Sequence, residues 1–140
     1  MSTQQVAVRL ELPDSVPARA PVAGRLVIAN EGDETLSLVT PRYNAALNIV
    51  VFDQFWDPVA PESVGKAHEG HERFEVAPGQ SVAVALDDLV YTSGTARMAY
   101  ALGPGSYYVV AVYHPGTDRL PERSSYPLAV ASNVVALRVR

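Results

Sequence analysis

Gly103-Pro104-Gly105-Ser106-Tyr107-Tyr108-Val109-Val110-Ala111-Val112-Tyr113 reads as a Pro-Gly turn feeding a long run of β-branched and aromatic residues. That is the composition of a central β-strand. The same grammar stands earlier, in Ala77-Pro78-Gly79-Gln80-Ser81-Val82-Ala83-Val84-Ala85-Leu86. Between the two no helical period intervenes, so the stretch points to an all-β sandwich.

Working outward, Val6, Val8, Leu10 and Leu12 alternate with Ala7, Arg9 and Glu11, the period of a half-buried strand. Pro13, Pro17 and Pro21 punctuate the connection that follows. Val22 to Asn30 alternates again and ends in the turn Asn30-Glu31-Gly32-Asp33. Leu36–Val39, Leu47–Phe52, Val82–Leu86, Tyr107–Tyr113 and Val134–Val139 complete the set. About seven to eight short antiparallel strands with turns between them predict one sandwich domain over residues 1–140. Ala96–Leu102 has the composition for one or two helical turns. If no strand lies between Phe52 and Gln80, strict alternation places Asn30–Glu34, Gln54–Gln80 and His114–Tyr126 at one end of the sandwich. A strand at Arg73–Val76 would break that arrangement.

Composition narrows the function. The chain has 140 residues, 48% of them hydrophobic and 19% charged, which suits one globular domain with a core of its own. A net charge of −4 with a single lysine, Lys66, leaves no basic face to neutralise nucleic-acid phosphates or hold an anionic membrane. Cysteine is absent, which removes disulfides, thiolate metal sites and a cysteine nucleophile. No apolar stretch approaches the roughly 20 residues of a membrane helix, and Met1-Ser2-Thr3-Gln4-Gln5 does not read as a signal peptide. The expected compartment is cytoplasmic, or secreted or periplasmic if a leader has been removed.

Three segments carry chemistry. His68-Glu69-Gly70-His71-Glu72 lacks the spacing of a zincin helix, because its histidines stand three apart rather than four. With His114 brought to the same end, His68 and His71 would nevertheless suit zinc or copper(II). The alternative is a solvated polar loop and no cofactor. Phe55-Trp56, between Asp53 and Asp57, either anchors a protein partner or stacks on a sugar, or folds back over the core as the buried tryptophan of a sandwich does. The connection beginning at His114 is long and mixed in charge, and its prolines lower the entropy cost of binding. It would present Arg119, Leu120 and Arg123 to a partner. No Gly-x-Ser-x-Gly elbow or phosphate-cradling loop opens a helix, so no enzymatic activity is expected. Tyr107 or Tyr108 is placed to pin the adjacent connection through its hydroxyl.

The order of turn motifs carries a resemblance. Ile28-Ala29-Asn30-Glu31-Gly32, Leu36-Ser37-Leu38-Val39, Thr40-Pro41, Val50-Val51-Phe52-Asp53, Ala77-Pro78-Gly79 and Pro104-Gly105-Ser106-Tyr107 follow one another along the chain. The succession resembles that of immunoglobulin-like sandwich domains. Among them are the non-catalytic N-terminal domain of lysine-specific and deuterolysin-type metalloendopeptidases and the intracellular proteinase inhibitor family. It implies an immunoglobulin-like fold and an accessory or inhibitory role. Where such domains have Asp-Gly after the Asp-ended strand, this chain has Asp53-Gln54-Phe55-Trp56-Asp57-Pro58. No peptidase motif and no inhibitor reactive-site motif is read within these 140 residues, so neither activity is expected to transfer.

The resulting expectation is a non-catalytic module that binds a protein through Phe55, Trp56, Arg119, Leu120 and Arg123. A histidine metal module comes second, and carbohydrate binding through Trp56 third. A homodimer through the edge of Leu47–Phe52 would be a further use of the scaffold.

Overall fold

A computed structural model describes residues 6–41, 46–67, 72–116 and 129–140. Within them the chain forms β1 (Val6–Glu11), β2 (Ser15–Val16), β3 (Gly24–Asn30), β4 (Leu36–Val39), β5 (Leu47–Asp53), β6 (Glu62–Lys66) and β7 (Arg73–Val76). β8 (Ser81–Leu86), β9 (Val90–Ser93), β10 (Ala96–Ala99), β11 (Gly105–Tyr113), β12 (Val130–Ala131) and β13 (Val135–Val139) follow.

One sheet has the order β1-β3-β8, all antiparallel, with Leu10 opposite Leu26 and Ile28 opposite Val82. The other joins β12, β11, β13 and β2, and β5 pairs along the remaining edge of β11. Alternation decides which residues face inward. Leu10, Leu26 and Ile28 from the first sheet meet Ile49, Val51, Val109, Ala111 and Leu137 from the second in one buried cluster. Each fully buried Leu, Ile or Val adds about 1.5–3 kcal/mol. After β1 the chain changes sheets, since β2 pairs parallel with β13 rather than with β3. These are the strand positions A, B and E against C, F and G of an immunoglobulin-like sandwich. The all-β architecture follows from them.

The Pro-Gly turn behaves as its sequence predicts. Tyr107 supplies the pinning hydroxyl, donating to the Gly103 carbonyl at 2.8 Å; Tyr108 points to the other face of the strand.

The expected placement of the loops at one end does not hold. Arg73–Val76 is a strand, antiparallel to β4. More importantly, β4 does not run the length of the sandwich. Its first residue, Leu36, lies beside the end of β3 through Val76 and Asn30. Its last, Val39, donates its N–H to the Pro115 carbonyl at 2.8 Å, beyond the end of β11. β4 and β7 therefore form a crossbar over one end, from the first sheet to the second, and β5 starts at that same end with Leu47 opposite Tyr113. The loop after Asp53 consequently emerges at the opposite end from His114.

A polar knot fixes the crossbar. Asn30, only 2% exposed, donates through Nδ2 to the carbonyls of Glu34 and Val76 at 2.7 and 2.8 Å and accepts the Gly32 N–H through Oδ1 at 2.9 Å. The buried Tyr113 hydroxyl donates to the Val39 carbonyl.

Ala96–Leu102 does not turn helically. Ala96–Ala99 is β10, paired with β6 on one side and β9 on the other. This ribbon stands beside β5, tied to it by Thr92 N–H donating to Asn48 Oδ1 and by Tyr100 O–H donating to the Ile49 carbonyl at 2.6 Å. Non-local pairing overrides the weak local preference of an Ala-rich stretch.

Candidate functional site

The most distinctive local geometry is the turn at the end of β5. Asp53 organises it. Its Oδ1 accepts the N–H groups of Phe55 and Asp57 at 2.8 and 3.0 Å, while its carbonyl accepts the Trp56 N–H at 3.0 Å. Phe52 bridges to Pro58, and Val59 N–H donates to the Val51 carbonyl, so the returning chain lies along the outer edge of β5. That placement covers part of the edge offered above for a homodimer.

At the crest Trp56 has φ of +65°. The left-handed region brings Cβ against the following carbonyl and costs about 1–2 kcal/mol for a residue other than glycine. A glycine would avoid that cost, and this chain carries an indole there instead.

The ring does not fill the core. Trp56 is 53% exposed and Phe55 73% exposed. The indole stacks flat on Tyr108, with centroids 4.2 Å apart and planes 2° from parallel, and lies tilted against Phe52 at 5.8 Å. Phe52 and Tyr108 face each other across the β5–β11 ladder. Val50, Val110 and Ala136 continue the same outer face, and Val134, 54% exposed, borders it. The result is an aromatic head on an apolar stripe, flanked by the carboxylates of Asp53 and Asp57.

Phe52, Tyr108 and Val110 were missed as site residues by sequence reasoning. A signal existed: on β5 and β11 both alternating sets are apolar, more than a strand with one wet face requires. The outer set has no covering layer among the described residues.

The other expected site residues separate. His114 stands at the far end of β11 with its N–H donating to the Ala46 carbonyl at 2.7 Å. β5 has seven residues, so about 20 Å of strand lies between that end and Phe55–Trp56. His68, His71, Arg119, Leu120 and Arg123 lie outside the described residues. Among the described residues no group of three His, Asp or Glu side chains converges to hold a metal ion.

Hydrogen bonds from Arg25 and Arg9 hold the exposed Glu11 carboxyl below its ordinary range. Burial pushes the Tyr100 phenol up to about 12. The first belongs to ion pairs on the β1–β3 surface and the second to a buried hydroxyl that bonds the Ile49 carbonyl.

Strand order and core thus define an immunoglobulin-like β-sandwich domain. No family model and no curated protein matches the chain. Among solved structures, it is similar to a CARDB domain from Pyrococcus furiosus crystallised in complex with di-metal ions. The identity is 10%, over 96% of this chain and 87% of that one, with a TM-score of 0.44. It is also similar to part of a beta-glucosidase from Listeria innocua in complex with isofagomine, at 14% identity and a TM-score of 0.47, over 99% of this chain and 16% of that one. No helix among the described residues is long and apolar enough to cross a membrane.

Proposed function

We propose that this domain is a non-catalytic protein-binding module whose contact surface is the Phe55–Trp56 turn and the apolar stripe of Phe52, Tyr108 and Val110 beneath it. One observation carries the reading: an exposed indole is held at a positive φ of 65° by bonds that fix the turn around it. Backbone strain at an exposed position does not serve folding, and such outliers cluster where a surface is pre-organised for a ligand. Trp and Tyr are also the side chains that dominate protein interfaces when they sit on rigid platforms. Stacking on Tyr108 fixes the indole before any partner arrives, so little side-chain entropy remains to be lost on binding.

The partner class follows from the resemblance to accessory and inhibitory sandwich domains: a protease or a neighbouring catalytic domain. Arg119, Leu120 and Arg123 follow His114, which stands at the end of the sandwich opposite this turn, and they are not counted among its contacts. Capture of proteins from a host extract should differ sharply between the native domain and the F55S/W56S double variant. The native domain is expected to retain a partner, in chelator as well as without it, that the folded double variant loses. Equal capture by both would overturn the surface. Loss in chelator would transfer the role to the histidines, and elution by soluble glucan oligosaccharides alone would transfer it to sugar recognition.

A further inference from the structure

The first sheet ends at β8, and beyond it lies a groove of about 550 Å³. It is lined by Ala83–Leu86 of β8, by Val90, Thr92 and Arg97 of the β9–β10 ribbon, and by Leu47, with Thr40, Pro41 and Ala67 also bordering it. Volumes of this size hold small ligands or a few residues of peptide.

The polarity of the β8 edge can be read from its ladder. Asn30 directs its N–H and C=O toward Gln80 and Gly79. Antiparallel strands alternate bonded and unbonded residues, so Ile28, Leu26 and Gly24 also face β8, through Val82, Val84 and Leu86. The N–H and C=O groups of Ser81, Ala83 and Ala85 therefore point away from β3, along the groove. No partner strand meets them among the described residues; β7 pairs with β4 instead. The outward side chains at 83 and 85 are only methyl groups and both are exposed, so a second backbone can approach closely.

Charge gives the groove a direction. Arg97 lies opposite Thr92, which is tied to Asn48 near the start of β5, whereas Asp87 and Asp88 close the other end. Asp88 is engaged through Oδ1 with the N–H groups of Val22 and Leu89, and Asp87 is exposed. β8 runs from the Arg97 end to the Asp87 end. A strand antiparallel to β8 would bring its amino-terminal side to Asp87 and its carboxyl-terminal side to Arg97.

We infer that the β8 edge is a second binding site, which takes an extended peptide of another protein as an added antiparallel strand. That peptide bonds the backbone groups of Ala83 and Ala85 and ends in an acidic residue or a free carboxylate at Arg97. Strand addition of this kind draws affinity from main-chain bonds and selectivity from alternate side chains. The site is separate from the aromatic surface, which lies on the outer face of the other sheet. A second copy of this chain fits less well, because the β9–β10 wall stands where the copy's own sheet would continue.

Ala83→Pro provides the test. It removes an N–H that points into the groove, spares the ladder to β3, and sits at an edge where proline is tolerated. A random dodecapeptide phage library would be selected on the native domain and counter-selected on Ala83→Pro, with matched melting curves showing that the variant is folded. The expected result is enriched peptides with alternating apolar residues and a carboxyl-terminal acid. Their binding should fall at least tenfold in Ala83→Pro, remain in Ala83→Val, and fall several-fold in Arg97→Glu. On binding, the Ala83 and Ala85 amides should exchange with solvent more slowly. No peptide preferring the native domain over Ala83→Pro would overturn the inference. So would peptides lost in F55S/W56S but not in Ala83→Pro, or an edge blocked only by self-association at high concentration.

Discussion

The two ends of the sandwich treat polar and apolar groups in opposite ways. At the crossbar end the polar side chain of Asn30 is buried and its hydrogen-bonding atoms are satisfied by the strands it joins. At the other end two large aromatics are exposed, one of them in a backbone region that opposes it. The first arrangement is what stability demands of a buried amide. The second is what stability would remove. Comparing them separates the part of the molecule that holds the fold from the part that the fold holds out.

Substitutions at the crossbar should therefore be expensive. Asn30→Leu keeps the approximate volume but leaves two carbonyls and the Gly32 N–H without their partner. A loss of about 3 kcal/mol is expected, read in urea titrations, with melting lowered by roughly 10 °C. A loss under about 1 kcal/mol would mean that water replaces the amide and that the crossbar is not pinned by it.

Tyr113→Phe is a smaller intervention at the same end. It strands the Val39 carbonyl and should cost about 2 kcal/mol. Comparison with Tyr107→Phe sharpens the point, since that hydroxyl serves a turn rather than the crossbar and its loss should cost about 1 kcal/mol.

Tyr100 gives a pH signature in the layer beside β5. Its phenol is raised from 10.0 to about 12 by burial, so above pH 10 the unfolded chain gives up this proton first and the folded chain keeps it. Stability conferred by the neutral phenol is complete below pH 10 and is lost as pH rises toward about 12. Tyr100→Phe should flatten that decline in a melting series between those limits. An unchanged slope would assign the alkaline loss to other groups.

Much of the fold was legible because its central strands have strong alternation. Val6–Leu12, Leu47–Phe52 and Tyr107–Tyr113 appear where the sequence puts them, and Tyr107 closes the Pro-Gly turn. The crossbar was not legible. Leu36–Val39 carries the same local pattern whether it spans a sheet or only crosses its end, and what decides is a distant bond from Val39 to Pro115. β7, with Arg73 and Glu75 among its four residues, and the exposed β6 offer little apolar contrast, so their pairing partners define them. Of the aromatic surface, Phe55 and Trp56 stood out by composition. The platform under them required knowing that β5 and β11 are neighbours, which places Phe52 and Tyr108 side by side.

The smallest expected change in stability is also the most direct test of the contrast between the two ends. Trp56→Gly removes the stacked ring, worth about 0.5–1.5 kcal/mol beyond its area, and relieves a left-handed residue of about 1–2 kcal/mol. The unfolding free energy of Trp56→Gly, followed by circular dichroism in urea, should lie within about 1 kcal/mol of the native value by that balance. Such a result would mean that the indole is displayed at little benefit to the fold. A loss of about 3 kcal/mol or more, the scale of a core aromatic, would contradict this and make Trp56 a structural cover of the outer face.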